Sequence, residues 1–369
     1  RHKENRMSES YASLVGRHGG IRQAARAIDM PYSSFYKGLT REKQDPAIIN
    51  VMDAENSHLV PANVWKRGTD ADGNKYTTHL KPAKAQDDPQ QLINAIKEAL
   101  SGINPAPPVS VRHVLHADMA SIYPVADLHV GMLTDAEETG EDWDTKIATR
   151  VFREKFDRLL SLTPSTEHAV IAQLGDLTHN DSQENVTPQS KHQLDVDSRY
   201  FVILRRAVAV MRYAIDACLQ KHGQVIYRGC RGNHDLTSHY AVSLALSEHY
   251  RNEPRVTIED SANEFYVYEF GQNMVLLCHG DKVNGEKLAL FAASTYAEIW
   301  GRTTYRRALT GHVHHRRAMQ AGGMLIETIE TIIPKDAYAH AHGYSSMRAL
   351  VSIVLDKNEG EVCRYRVSA

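Results

Sequence analysis

The chain has 369 residues, 42% of them hydrophobic and 24% charged, with a formal net charge of −2. Those values suit an ordinary globular protein with room for one sizeable core and a small module. No apolar run approaches the ~20 residues needed to span a bilayer, and the N-terminus lacks the apolar stretch of a secretory signal. Cys218, Cys230, Cys278 and Cys363 form neither a CxxC pair nor a disulfide framework. They are expected to be small buried residues in a reducing, cytoplasmic compartment, with no membrane partner.

In chain order, residues 1–48 read as a helical module. Residues 17–43 carry six basic residues (Arg17, Arg22, Arg26, Lys37, Arg41 and Lys43) against Asp29 and Glu42. A polar, proline-bearing stretch over 49–115 reads as a linker with some local structure. Within it, Asp72-Gly73 between Val64-Trp65 and Tyr76-Thr77-Thr78 predicts a small hairpin. Leu92, Ile93, Ile96 and Leu100 predict an amphipathic helix over 90–100.

From 116 to 369 the pattern is alternating strands and helices, an α/β fold. Ile122 to Ala126, Val170 to Leu174, Val225 to Cys230 and Met274 to Cys278 read as buried strands. Phe201, Leu204, Val208, Met211, Ile215 and Cys218 recur at helical spacing, which predicts a long helix with one face on a sheet.

Each strand runs into residues that can bind a metal: Asp127-Leu128-His129, Gly175-Asp176, Gly232-Asn233-His234-Asp235 and His279-Gly280. A fifth run, Ala308-Leu309-Thr310, leads to Gly311-His312-Val313-His314. In open α/β sheets ligands gather at the carboxyl ends of strands, so the five clusters can converge on one site. On an extended segment, residues i and i+2 point to the same side, so Asp127 and His129 can share an ion. His312 and His314 can share one too, or serve different ions. Two divalent cations roughly 4 Å apart need a shared carboxylate to offset their repulsion, and neutral imidazoles keep the site positive for a phosphate.

The five motifs together resemble those of the calcineurin-like metallophosphoesterase superfamily: D-x-H, G-D, G-N-H-D/E, a lone His and G-H-x-H. The resemblance covers about 250 residues and implies a two-sheet α/β sandwich. It implies that Asp127, His129 and His314 bind one ion and that Asn233, His279 and His312 bind the other, with Asp176 bridging. It also implies that His234 is a non-ligand acid at the leaving group, and that manganese is the usual metal, with iron, zinc or magnesium as alternatives. The expected chemistry is in-line attack on phosphorus by a hydroxide held between the ions.

Leu177-Thr178-His179 bears on the branch. The histidine is similar to that of the G-D-L-F-H motif of double-strand-break repair exonucleases, where it supports catalysis, so His179 is expected at the rim of the site. Leu177-Thr178 resembles the G-D-L-T-D of cyclic-nucleotide phosphodiesterases. Residues 19–39 resemble the helix-turn-helix of Fis-type and NtrC-type DNA-binding proteins. Ala24-Ala25 would let the helices cross closely, Phe35 and Leu39 would face the core, and Tyr32, Ser34, Tyr36, Lys37 and Arg41 would be open to DNA. The resulting expectation is a DNA nuclease with an all-α N-terminal helix-turn-helix module and DNA as partner. The resemblance to repair nucleases also implies a separate ATPase partner, and the chain has no Gly-x4-Gly-Lys-Ser/Thr loop of its own. The alternative is a phosphodiesterase of small or cyclic nucleotides whose N-terminal module regulates it or makes a homodimer.

Overall fold

The structure is a computed structural model that describes residues 11–18, 21–28, 34–35, 64–69, 75–80 and 116–369. The chain divides into two compact units, Arg1–Pro89 and Gln90–Ala369. In the first, α1 (Tyr11–His18) and α2 (Ile21–Ala27) are short helices. Leu14, Ala24, Ala25 and Phe35 form a small buried cluster with Val15 and Ile28 against it. Ala24 and Ala25 are thus buried, and Ser34 is exposed. Tyr32, Tyr36, Lys37, Leu39 and Arg41 lie outside the described residues. The strands β1 (Val64–Thr69) and β2 (Lys75–Leu80) pair antiparallel from Val64↔Leu80 to Thr69↔Lys75. They are the hairpin predicted around Asp72-Gly73, whose turn is not described, and neither is the helix predicted over 90–100.

The second unit is built from two mixed sheets. The larger contains β3 (His116–Val125), β4 (Thr166–Gln173), β5 (Gln224–Gly229), β6 (Val256–Glu259), β12 (Ala349–Asp356) and β13 (Gly360–Ser368). Their order is β13-β12-β3-β4-β5-β6, parallel from β3 to β6 and antiparallel at β12 and β13. The smaller sheet contains β7 (Tyr266–Phe270), β8 (Asn273–Leu277), β9 (Tyr305–Thr310), β10 (Arg317–Ala321) and β11 (Met324–Thr328), ordered β10-β11-β9-β8-β7.

Side chains alternate across each strand and so feed two cores apiece. Ile122, Val170 and Ala172 meet Val275, Leu277 and Leu309 between the sheets. Their neighbours Tyr123, Ile171 and Val225 face outward onto α4 (Thr145–Leu162), α5 (Tyr200–Leu219) and α6 (Ser238–Tyr250). On the opposite side, Met274, Leu276 and Ala308 pack against α7 (Glu286–Thr295), with Tyr296, Ile299 and Trp300 of the segment holding α8 (Ala297–Arg302) at the edge of the same cluster. The result is helices, sheet, sheet, helices, an arrangement consistent with the calcineurin-like sandwich. Two short helices, α3 (Ala136–Thr139) and α9 (Ala337–Ala341), lie in the loops.

The long helix predicted from Phe201 to Cys218 is α5, but its buried face at the N-terminal end runs through Tyr200, Ile203 and Ala207. Phe201 is 45% exposed. The apolar residues there occupy both faces of the helix, so spacing alone could not choose between adjacent stripes.

Candidate metal centre

All five motif segments leave strand ends on one side of the sandwich, after β3, β4, β5, β8 and β9. Asp127, His129 and His314 present ligand atoms within 4.8 Å of one another, and so do Asp176, His279 and His312. These are two candidate divalent-metal sites. Asp176 lies between them: its Oδ2 is 3.3 Å from His279 Nε2 and 3.8 Å from His129 Nε2. Asn233 Oδ1 is 2.9 Å from His279 Nε2, which places it at the second group.

The backbone that brings these atoms together is not the extended one assumed from the sequence. Asp127, His129, Asp176, His312 and His314 all have positive φ, between 43° and 77°. Seven non-glycine residues do so among those described, and five of them are these candidate ligands. A left-handed residue with a side chain is strained by about 1–3 kcal/mol, and such strain gathers at functional sites. Left-handed residues at alternate positions curl the chain around the site, so Asp127 and His129 are not brought together by plain strand alternation.

Glycines admit the close approaches. A Cβ at Gly232 would stand 2.0 Å from Asp176 Oδ1 and 2.3 Å from the Asp176 nitrogen. A Cβ at Gly175, itself at φ +91°, would fall 2.4 Å from His279 Nδ1.

Buried hydrogen bonds fix the donors. The Asp127 carboxylate accepts the His312 backbone N–H at 2.9–3.0 Å, and Asp176 Oδ1 accepts that of His234 at 2.7 Å. His279 donates from Nδ1 to the Leu174 carbonyl at 2.8 Å, which leaves Nε2 facing Asn233 and Asp176. Asp235, the last residue of the third motif, organises two of the loops. Wholly buried, it accepts N–H groups from Gly232 (2.7 Å), Leu177 (2.7 Å) and Asp176 (3.1 Å). Its place in Gly232-Asn233-His234-Asp235 was the available signal. Thr331, for which no signal existed, donates its hydroxyl to the Asp127 carbonyl at 2.8 Å.

His179 lies deeper than its motif predicts. It is not at the rim but buried, at 3% exposure. Its Nδ1 lies 3.2 Å from His129 Nδ1, and its carbonyl oxygen lies 2.8 Å from His234 Nδ1. His129, His179 and His234 therefore form a third close group. The first contact turns His129 so that Nε2 faces the site, and the second holds His234. The loop after β4 pairs with the segment after β3 through the Val130–Thr178 bridge, which draws the histidine inward.

Burial and neighbouring charge act differently on the members of the cluster. Burial, followed by the neighbouring His234, pushes His129 well below the usual histidine range. Burial pushes His179 down to about 3 and His314 to about 4, and lowers His312 as well. Burial thus favours the neutral form of His129, His312 and His314, the form in which an imidazole binds a metal. Burial and the charge of Asp176 push Asp235 up to about 7, against the pull of its N–H donors. Burial of Asp127, only partly offset by His279, raises it to about 8. Burial works against a charged His279 but is outweighed by Asp176 and Asp127, which raise it to about 10. Burial of Asp176 is likewise outweighed by His279 and His234, so it stays well below the usual carboxylate range.

The fit to a cation is direct: His129 Nε2 and His314 Nε2 face each other at 3.3 Å. Two nitrogens on one ion at bonds of ~2.1 Å stand about 3.0–3.4 Å apart. The mixed imidazole, carboxylate and amide set suits manganese, iron or zinc better than calcium.

No family model and no curated protein matches the chain. Among solved structures, it aligns with a conserved protein from Streptococcus pneumoniae TIGR4 described as a predicted phosphoesterase, at 14% identity and a TM-score of 0.27. That alignment covers 68% of this chain and 98% of the other. Zinc-complexed Vps29 from Entamoeba histolytica aligns at 13% identity and 0.28, over 67% and 98% of the two chains. An archaeal phosphodiesterase aligns at 9% and 0.30, over 68% and 99%.

Proposed function

We propose that the chain is a metal-dependent phosphodiesterase acting on small or cyclic nucleotides. The observation that carries this reading is Asp176, a single carboxylate set between two donor groups. Asp127, His129 and His314 would hold one ion, and Asn233, His279 and His312 the other, with Asp176 shared. When bound, such a pair supplies Lewis acidity toward a phosphoryl group and a source of hydroxide at neutral pH.

The remaining steps belong to the chain's own residues. His234 donates Nδ1–H to the His179 carbonyl, so Nε2 is the atom that can carry a proton to the departing oxygen. His179 steadies His129 through its ring and His234 through its backbone. The second of these contacts is one that any residue at position 179 could make. A histidine there is therefore weak support for a nuclease, while Leu177-Thr178 still resembles the cyclic-nucleotide branch.

A reading as a DNA nuclease draws on one further observation. Lys146, Arg150, Arg153 and Arg206 line a surface cavity of about 400 Å³ between α4 and α5, with Glu154 as its only acidic lining residue. Such a surface suits a polyanion. The test is a panel of cyclic nucleotides, small diesters, single-stranded DNA and duplex DNA, each with Mn²⁺ and with chelator. Metal-dependent turnover that favours the small nucleotides supports the proposal. Turnover that favours DNA supports the nuclease, and none on any substrate refutes both.

A further inference from the structure

We propose that Tyr338, His342 and Tyr344 form a stacking platform for the nucleobase of a small nucleotide diester, at the rim of the candidate metal centre. The inference rests on the phosphodiesterase reading and names how its substrate is recognised.

The placement follows from the chain leading into α9. Thr331 is bonded to the Asp127 carbonyl, and Ile332 and Ile333 are buried, so the chain emerges directly from behind the first ligand group. Asp336 caps α9 by accepting the Ala339 N–H at 2.8 Å, and α9 lies against α3, in the loop that follows Asp127 and His129. Two residues after Asp336 the aromatic array begins.

The array is ordered yet open. The Tyr338 and His342 rings stand 4.2 Å apart between centroids at 34°, and those of His342 and Tyr344 stand 5.7 Å apart at 25°. His342 Nδ1 lies 2.8 Å from the Tyr338 carbonyl, which sets the angle of the middle ring. Backbone bonds from His342 to Tyr338, Gly343 to His340 and Tyr344 to Ala339 close the turn beneath them. Despite this fixing, Tyr338 is 58% exposed and Tyr344 60%. Neither ring serves a core.

An ordered array of exposed aromatic rings beside a phosphate-handling site suits a flat heteroaromatic group. Stacking of a base on an aromatic side chain strengthens binding roughly 5- to 150-fold per base. It needs the ring and not the hydroxyl. One platform beside one diester site fits a mononucleotide ester, whose base lies a single sugar away from the scissile phosphate.

The test compares thymidine 5′-(p-nitrophenyl phosphate) with methyl p-nitrophenyl phosphate, which share a leaving group and differ by the nucleoside. In the full-length protein with Mn²⁺, the ratio of the two kcat/KM values should fall at least about tenfold in Tyr338→Ala/Tyr344→Ala, chiefly through KM. Tyr338→Phe/Tyr344→Phe should keep the wild-type ratio. An unmoved ratio in the Ala variant, or an equal fall in the Phe variant, overturns the platform. If the wild type hydrolyses neither ester, the phosphodiesterase reading fails on its own account. Equilibrium binding of thymidine 5′-monophosphate then decides: weaker binding by the Ala variant alone supports the platform. Equal binding by all three proteins overturns it and leaves the rings to a protein partner.

Discussion

Replacing Asp235 by Asn tests whether one buried carboxylate holds the metal loops in place. The side chain keeps its shape, but one of its two terminal atoms becomes a donor. Oδ1 accepts from Gly232 and Asp176 and Oδ2 from Leu177, so the favoured amide orientation keeps the first two bonds and sets NH₂ against the Leu177 N–H. An unsatisfied buried N–H costs about 1–3 kcal/mol, and at pH 8, above the value of about 7 to which Asp235 is raised, loss of charge from the two remaining bonds costs roughly another 1 kcal/mol. The sum, about 2–4 kcal/mol, corresponds to a Tm lower by roughly 4–16 °C for a domain of this size. Because Asp235 binds the backbone of Asp176 and of the loop carrying Asn233, affinity for Mn²⁺ should also fall about 10- to 100-fold. Calorimetry of the metal-free protein reads the first quantity and titration of Mn²⁺ the second. A Tm within about 1 °C of wild type together with an affinity within about threefold would refute the reasoning, since neither exceeds the effect of a neutral surface change.

Three further outcomes are expected. His234→Ala should keep its metal while turnover falls ~10²–10⁴-fold, with a smaller loss for p-nitrophenyl esters, whose leaving group needs little protonation; metal analysis and paired leaving-group kinetics check it. Arg364→Ala should destabilise the fold by about 2–4 kcal/mol in chemical denaturation, because Arg364 pairs with the buried Glu327, leaving only Arg316 as its partner. Lys37→Glu with Arg41→Glu should weaken binding of duplex DNA and flatten its salt dependence if the N-terminal module contacts DNA; unchanged binding would favour an oligomerising role.

Much of the catalytic unit was legible because its signals are local. Strands such as Val170 to Leu174 are buried on both faces and read as continuous apolar runs, and each is followed by its polar motif. What escaped the sequence depends on contacts between distant segments. The inward turn of His179 is set by pairing between the loop after β4 and the segment after β3, about 50 residues apart in the chain. Thr331 reaches Asp127 across 204 positions. Neither relation leaves a periodicity or a motif. The exposed face of Phe201 was misread for another reason: apolar residues on both sides of α5 make two stripes equally regular, and only packing selects one.

The left-handed ligands suggest how stability is distributed in this fold. Five strained residues at about 1–3 kcal/mol each represent a cost comparable with the net stability of a whole domain. Such a cost is sustained only where the surroundings fix the backbone from several sides. Here the ends of the strands that lead into the ligands are buried, Asp235 ties together the Asp176 and Asn233 loops, and Asp127 is held by its bonds to His312 and Thr331. The same bonds that oppose the strain also aim the donor atoms. His279 reaches the second group with one nitrogen already committed to Leu174, and His129 reaches the first with one nitrogen set against His179. Little side-chain freedom is then left to lose when an ion binds. Rigidity at the strand ends and openness at α9 thus answer different needs, the first fixing charges around phosphorus and the second admitting whatever is attached to it.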